Sequence, residues 1–199
     1  MMSSRSLYII GAQCTGKTTL LHALQDAFSR EDPSLRLRPI TEVARNVLQQ
    51  HNFTRDDINY IPERALELQQ LILSAQYDEE SKTPTDRVLC DRSGADPIAY
   101  AMQYGPPDAY KALEASPEWH YLRDRLRESL VVVCPPHQEW LVDDGTRLIP
   151  RSWAEWERTH LAFLHVLESN SIGFHTIPAQ LVVSEQRVDF VLRLWGSLS

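Results

Sequence analysis

Glycine is scarce in this chain, with 7 in 199 residues, and cysteine is scarcer, with 3. Cys14, Cys90 and Cys134 lie far apart and form no C-x-x-C pair. No even set exists to suggest a disulfide framework. That usage points to a reducing, intracellular setting, and a cytoplasmic location is expected. No apolar run approaches the ~18 residues of a membrane-spanning helix. The polar stretch through Ser6 and the short apolar run behind it do not make a secretory signal. Positive charge is also in deficit: 20 Lys and Arg stand against 27 Asp and Glu, a net charge of −7. General nucleic-acid binding leaves a basic footprint and is not expected here. A local basic site for one anionic nucleotide is compatible with that balance. At 43% hydrophobic and 24% charged residues, the composition is that of a globular chain. Its length predicts one domain, residues 1–199, with a sizeable core.

Two of the few glycines stand together in Gly11-Ala12-Gln13-Cys14-Thr15-Gly16-Lys17-Thr18, which fits the phosphate-loop pattern G-x-x-x-x-G-K-[ST]. Chance alone places those four fixed positions in about one chain in a hundred of this length. The context is also right. Leu7-Tyr8-Ile9-Ile10 reads as a buried strand, and Thr19-Leu20-Leu21-His22-Ala23-Leu24 as a helix start. Such a loop turns its backbone N–H groups toward phosphate oxygens at a helix N-terminus. Gly11, Ala12, Gln13, Cys14, Thr15, Gly16, Lys17, Thr18 and Thr19 are therefore candidate ligands of ATP or GTP. Lys17 is expected to reach the β- and γ-phosphates, and the Thr18 hydroxyl to ligate Mg²⁺.

Further along, a strand is expected over 35–40, with Thr41 capping a helix through Leu48. Residues 52–61 read as a connection, and Pro62 opens a long helix to about Glu80. Arg87 to Asp91 reads as a strand ending in an acid, followed by a helix over 96–103 that Gly105-Pro106-Pro107 stops. Short helices are expected near 108–115 and 118–127. The apolar, β-branched run Ser129 to Cys134 suits a parallel strand covered on both faces. Then come a polar loop over 137–150, a helix capped by Ser152, a strand over 172–177 and a last helix capped by Ser184. Strands separated by helices predict an α/β fold of the P-loop NTPase type. The expected form is a three-layer sandwich with a five-stranded, mostly parallel sheet and helices on both faces. Ligands bind such sheets at the carboxyl ends of the strands, where the phosphate loop, Glu42, Asp91 and the loop after Cys134 all fall.

Asp91 closes its strand as a Walker B acid does, and is a candidate Mg²⁺ ligand beside Thr18. Arg92 follows it and could meet a transferred phosphoryl group. Glu42 could orient or deprotonate a substrate hydroxyl, with Arg45 one turn on; the same two residues also read as an i,i+3 surface pair. A lid loop is expected around 137–152, where Arg147 and Arg151 would close on phosphates. Trp140 could stack on an aromatic ring, and Asp143 joins it as a candidate substrate contact. The pair Trp153 and Trp156 reads as helix packing. His160 and His165 lie five apart, off a common helix face, and no H-E-x-x-H occurs, so the histidines read as structural. Asp91-Arg92-Ser93-Gly94 also fits the D-x-x-G switch motif, but no N-K-x-D-like guanine signature accompanies it.

The phosphate loop, Thr41-Glu42-Val43-Ala44-Arg45, Asp91-Arg92-Ser93 and Val142-Asp143-Asp144-Gly145-Thr146-Arg147 together resemble the ribosylnicotinamide kinase domain of bacterial NadR. They also resemble the related AAA-type ATPase-like domain found singly in many eukaryotic proteins. Asp-Arg-Ser is similar to the acid-Arg-Ser triplet of deoxynucleoside kinases. The resemblance runs from Leu7 to Leu194. It implies an ATP- and Mg²⁺-dependent kinase that phosphorylates a hydroxyl of a nucleoside-like small molecule, nicotinamide riboside being one candidate. The alternative is a regulatory ATPase or GTPase that acts through a protein or phosphoinositide partner.

Overall fold

A computed structural model of the chain describes residues 5–82, 87–137, 140 and 152–197. The first strand, β1 (Leu7–Ile10), is entirely buried. It runs into the phosphate loop and α1 (Lys17–Glu31). β2 (Arg38–Ile40) follows, then α2 (Val43–Gln50), α3 (Arg55–Tyr60), α4 (Pro62–Ser81) and β3 (Val88–Asp91). α5 (Ala95–Tyr104), α6 (Tyr110–Glu114) and α7 (Pro117–Arg127) lead to β4 (Leu130–Val133). The described chain closes with α8 (Trp153–Ser169), β5 (His175–Thr176) and α9 (Ser184–Ser197).

The sheet order is β2-β3-β1-β4-β5, and every pairing is parallel. Alternation along each strand sorts its side chains between two cores. Tyr8, Ile10, Val88, Cys90, Val131 and Val133 face a core built with α2 to α8. Leu7, Ile9, Leu89, Leu130 and Val132 face a second core under α1 and α9. The result is the expected three-layer α/β arrangement. β1 has β3 on one side and β4 on the other, so the connections leaving β1 and β3 run to opposite edges. A crevice forms at the carboxyl end of the strands at that switch point.

Several local expectations need correction. β2 is three residues rather than six, because Leu35 is held in a turn by its N–H bond to the Asp32 carbonyl, 3.0 Å. Pro39 is tolerated there because β2 is an edge strand. Thr41 does not cap α2; Glu42 occupies the cap position in a left-handed conformation, φ 62°. The segment read as a connection contains α3, started by a reciprocal capping box between Thr54 and Asp57. β5 shrinks to two residues because the chain leaving α8 turns at Ser171, φ 54°, before joining the sheet. Ser184 is the first residue of α9 rather than its cap. The Ser152 cap of α8 is present, its hydroxyl accepting from Glu155 N at 3.2 Å. Asp143, Arg147, Arg151 and most of the expected lid lie outside the described residues.

Candidate active site

The phosphate loop is built by two glycines with different tasks. Gly11 has φ +136°, and a Cβ there would lie 2.5 Å from the Cys134 carbonyl oxygen, so the loop leaves β1 pressed against the end of β4. Gly16 has φ +73°, and its Cβ would lie 2.6 Å from an Arg187 guanidinium nitrogen. Gly16 precedes α1 without any side-chain cap, which leaves the first-turn N–H groups of that helix open to an anion.

Three distant side chains hold the loop. Gln13 exchanges two bonds with Tyr100 of α5: its N–H donates to the hydroxyl at 3.2 Å, and the hydroxyl donates to Gln13 Oε1 at 2.6 Å. Trp156 Nε1 of α8 donates to the Gln13 carbonyl at 2.8 Å. Arg187 of α9, only 4% exposed, donates to the Thr15 carbonyl at 3.1 Å. Trp156 is thus a packing residue, as expected, and also a loop anchor. No local signal marks Tyr100, Trp156 or Arg187 in the sequence, because each acts across 87, 143 or 172 positions.

Lys17 folds back on its own loop, with Nζ donating to the Ala12 carbonyl at 2.5 Å and to Thr15 Oγ1 at 3.3 Å. Burial, and next the Arg92 charge, bring its ammonium down to about 8. The Thr18 hydroxyl donates to Asp91 Oδ2 at 2.5 Å, joining the first helix to the end of β3. Asp91 Oδ1 is buried and has no hydrogen-bond partner. Beyond it, Arg92 stands at φ 83° and places a guanidinium nitrogen 3.2 Å from Asp96 Oδ1. Asp96 also accepts from Ser93 N at 2.8 Å, and burial raises its carboxyl above the ordinary range.

These groups open on a single cleft of about 940 Å³. Gln13 to Thr19 line one end, with Asp91, Arg92 and Asp96; Gly11 and Ala12 stand behind the lining. The same cleft is lined by Glu42 and Arg45, by Leu48, Phe53, Ile58, Leu68 and Ile72, and by the polar Gln49, Asn52, Thr54, Arg55 and Gln69. Glu42 and Arg45 form the i,i+3 ion pair, at 2.8 Å, and both line the cleft. Trp140 is placed elsewhere. Its ring sits 4.7 Å from the Arg187 guanidinium and 5.0 Å from the His137 ring, outside the cleft lining.

Strain gathers at this cleft. Six described non-glycine residues have positive φ, and four of them, Cys14, Glu42, Asn52 and Arg92, line it. Such conformations cost about 1–3 kcal/mol each and persist where the surroundings over-determine them.

The fold is the α/β P-loop NTPase fold. It is similar to a NadR protein solved in complex with NR, with TM-score 0.72 and 22% identity, over 98% of this chain and 52% of that one. The chain thus spans about half the length of that NadR protein. It is also similar to thymidylate kinase from Ehrlichia chaffeensis, with TM-score 0.63 and 18% identity, over 98% of this chain and 99% of that one. Deoxyadenosine kinase from M. mycoides with bound dATP gives TM-score 0.60 and 15% identity, over 96% and 99%. No match was found among curated proteins. A family model described as an AAA domain matches residues 6–187, from the start of β1 to the arginine that holds the phosphate loop. The chain belongs to that AAA domain family.

Proposed function

We propose that the protein is a phosphotransferase that moves the γ-phosphoryl group of ATP, or GTP, to a hydroxyl of a nucleoside-like small molecule. The observation that carries this reading is the continuity of the cleft. The cleft lined by the phosphate loop is also lined by Glu42 and by polar and apolar side chains of the segments from α2 to α4. A switch that only bound and hydrolysed nucleotide would not need that additional lining.

Lys17, the loop amides and the open first turn of α1 hold the triphosphate. Glu42 orients or deprotonates the acceptor hydroxyl, and Arg45, paired with it, holds its carboxylate in place. Arg92 is fixed by Asp96 and supplies a preplaced cation near the transferred group. Arg147 and Arg151 are proposed to add charge from the lid. Thr18 and Asp91 would hold Mg²⁺. The fit rests on Asp91 Oδ1, a hard, buried oxygen without a partner beside a hydroxyl already turned toward the same carboxylate. An ion held there would supply positive charge to neutralise the phosphates of the nucleotide. Asp143 remains a candidate acceptor contact. Trp140, whose ring lies beside Gly16 and Arg187, remains a candidate for stacking on an aromatic ring.

The test is nucleotide turnover with a panel of nucleosides, nicotinamide riboside and a no-acceptor control, with ATP and GTP each as donor. A phosphorylated product that needs an acceptor and is lost in Lys17→Ala is expected. Acceptor-independent hydrolysis, with no phosphorylated product from any nucleoside, would overturn the reading.

A further inference from the structure

Every polar group of Gln13 but one is occupied by a distant element. Its backbone N–H donates to the Tyr100 hydroxyl at 3.2 Å, and its carbonyl accepts from Trp156 Nε1 at 2.8 Å. Its Oε1 accepts from the Tyr100 hydroxyl at 2.6 Å. The remaining group, Nε2, is buried, and no described residue accepts from it. Gln13 is itself only 4% exposed and lines the cleft. Buried donors are nearly always answered, so this one calls for an explanation.

Tyr100 decides which way the carboxamide points. A phenol has one proton to give. The Tyr100 oxygen already accepts the backbone N–H, so its proton goes to Oε1, and Nε2 keeps both of its own protons for another acceptor. The same arrangement removes the main-chain donor of Gln13, which a phosphate loop ordinarily turns toward an anion. The side-chain amide is the donor that this position still offers. Its place on the loop sets which phosphate it meets. Lys17 Nζ, the group that reaches β- and γ-phosphates in such loops, is held at the carbonyl of Ala12, the residue before Gln13. The Arg92 charge acts on the Tyr100 hydroxyl, and Arg92, Tyr100 and Gln13 all line the cleft. Gly16, at the far end of the loop, has Arg187 and Trp140 against it instead.

We infer that Gln13 donates from its side-chain Nε2 to an oxygen of the terminal phosphoryl group, and that this bond makes the site select nucleoside triphosphates over diphosphates. The side-chain amide takes over the task of the main-chain amide that Tyr100 occupies. Tied by Tyr100 and Trp156, the donor is in place before the nucleotide arrives, so little ordering opposes the bond. An amide suits the position because it adds a directed donor without a further charge beside Lys17 and Arg92. A bound diphosphate leaves Nε2 without its partner, so the same bond favours exchange of diphosphate for triphosphate once the phosphoryl group has left. The inference rests on the proposed function for placing a nucleoside triphosphate in the cleft as phosphoryl donor.

The experiment measures nucleotide binding by calorimetry, separately from phosphoryl transfer. The β,γ-imido analogues of ATP and GTP are compared with ADP and GDP, all with Mg²⁺, on wild type, Gln13→Leu and Gln13→Glu. Gln13→Glu keeps the shape of the side chain and the oxygen that Tyr100 meets, and replaces only the donor. Wild type is expected to prefer the triphosphate analogue. Both variants should lose about 10- to 100-fold of that preference, with diphosphate affinity held within about threefold. Preference that survives in either variant overturns the inference. Equal loss of triphosphate and diphosphate binding also overturns it, because Gln13 would then only prop the loop. A wild type that shows no preference, or binds no nucleotide, overturns it as well. Gln13-dependent preference in a protein that transfers to no acceptor upholds the inference and overturns the kinase reading. Acceptor-dependent transfer with a preference indifferent to Gln13 overturns the inference alone.

Discussion

Lys17 carries its charge at a cost that a triphosphate removes. Only 5% exposed, its ammonium has been brought to about 8 by burial first and the Arg92 charge second. Bound phosphates favour the protonated form and raise that value, so binding takes up a proton once the pH exceeds 8. Nucleotide affinity is therefore expected to fall as pH rises above 8, by up to about tenfold per unit. Titration calorimetry in buffers of different ionisation enthalpy should detect the proton uptake, and Lys17→Arg should flatten the dependence. A flat profile in wild type would mean that the lysine is already charged at high pH without ligand. That Lys17, Thr18 and Asp91 meet in one cleft was legible in the sequence, because local patterns put them at a helix start and a strand end. The place of Arg187 was not. An arginine inside an amphipathic helix becomes informative only once its burial and partners are known.

At the level of elements, the sheet is fastened to α4 and α7 by one buried carboxylate. Glu80 of α4 is fully buried and accepts from Tyr8 Oη of β1 at 2.5 Å and from Arg125 Nε of α7 at 3.1 Å. Burial raises its carboxyl above the ordinary range, opposed by the bonds from Gln76 and Tyr8 and by the Arg125 charge; removing the arginine leaves a buried acid without its cation. Arg125→Met is expected to destabilise the fold by about 3 kcal/mol or more. At roughly 2–4 °C per kcal/mol for a chain of this size, thermal melts resolve that change easily. The double variant Glu80→Met with Arg125→Met should recover much of the loss, and equal melting of single and double variants would exclude a pairing role. Elements with a strong one-dimensional signature were legible: β1 with its loop, α4 behind Pro62, and β4. α3 was not, although Thr54 and Asp57 spell its capping box, because six residues leave too short a periodicity. β5 was overread, because Ile172 packs into the core from a turn and not from the sheet.

For the molecule as a whole, the cleft collects residues from both layers and from the switch point between them. A ligand there stabilises the entire cooperative unit by mass action. Nucleotide with Mg²⁺ at a hundred times its Kd is expected to add about 2.7 kcal/mol, raising Tm by about 5–10 °C. Differential scanning fluorimetry checks this, and Lys17→Ala should reduce the rise. Among the described residues no helix is long and apolar enough to cross a membrane. Arg187 adds a matter of timing. The phosphate loop precedes α1, yet one of its carbonyls waits for a guanidinium 172 positions later. A chain emerging from the ribosome thus exposes its nucleotide motif well before the side chain that completes it. Until α9 has been synthesised and docked, the nascent protein lacks one of the clamps that shape its own phosphate cradle.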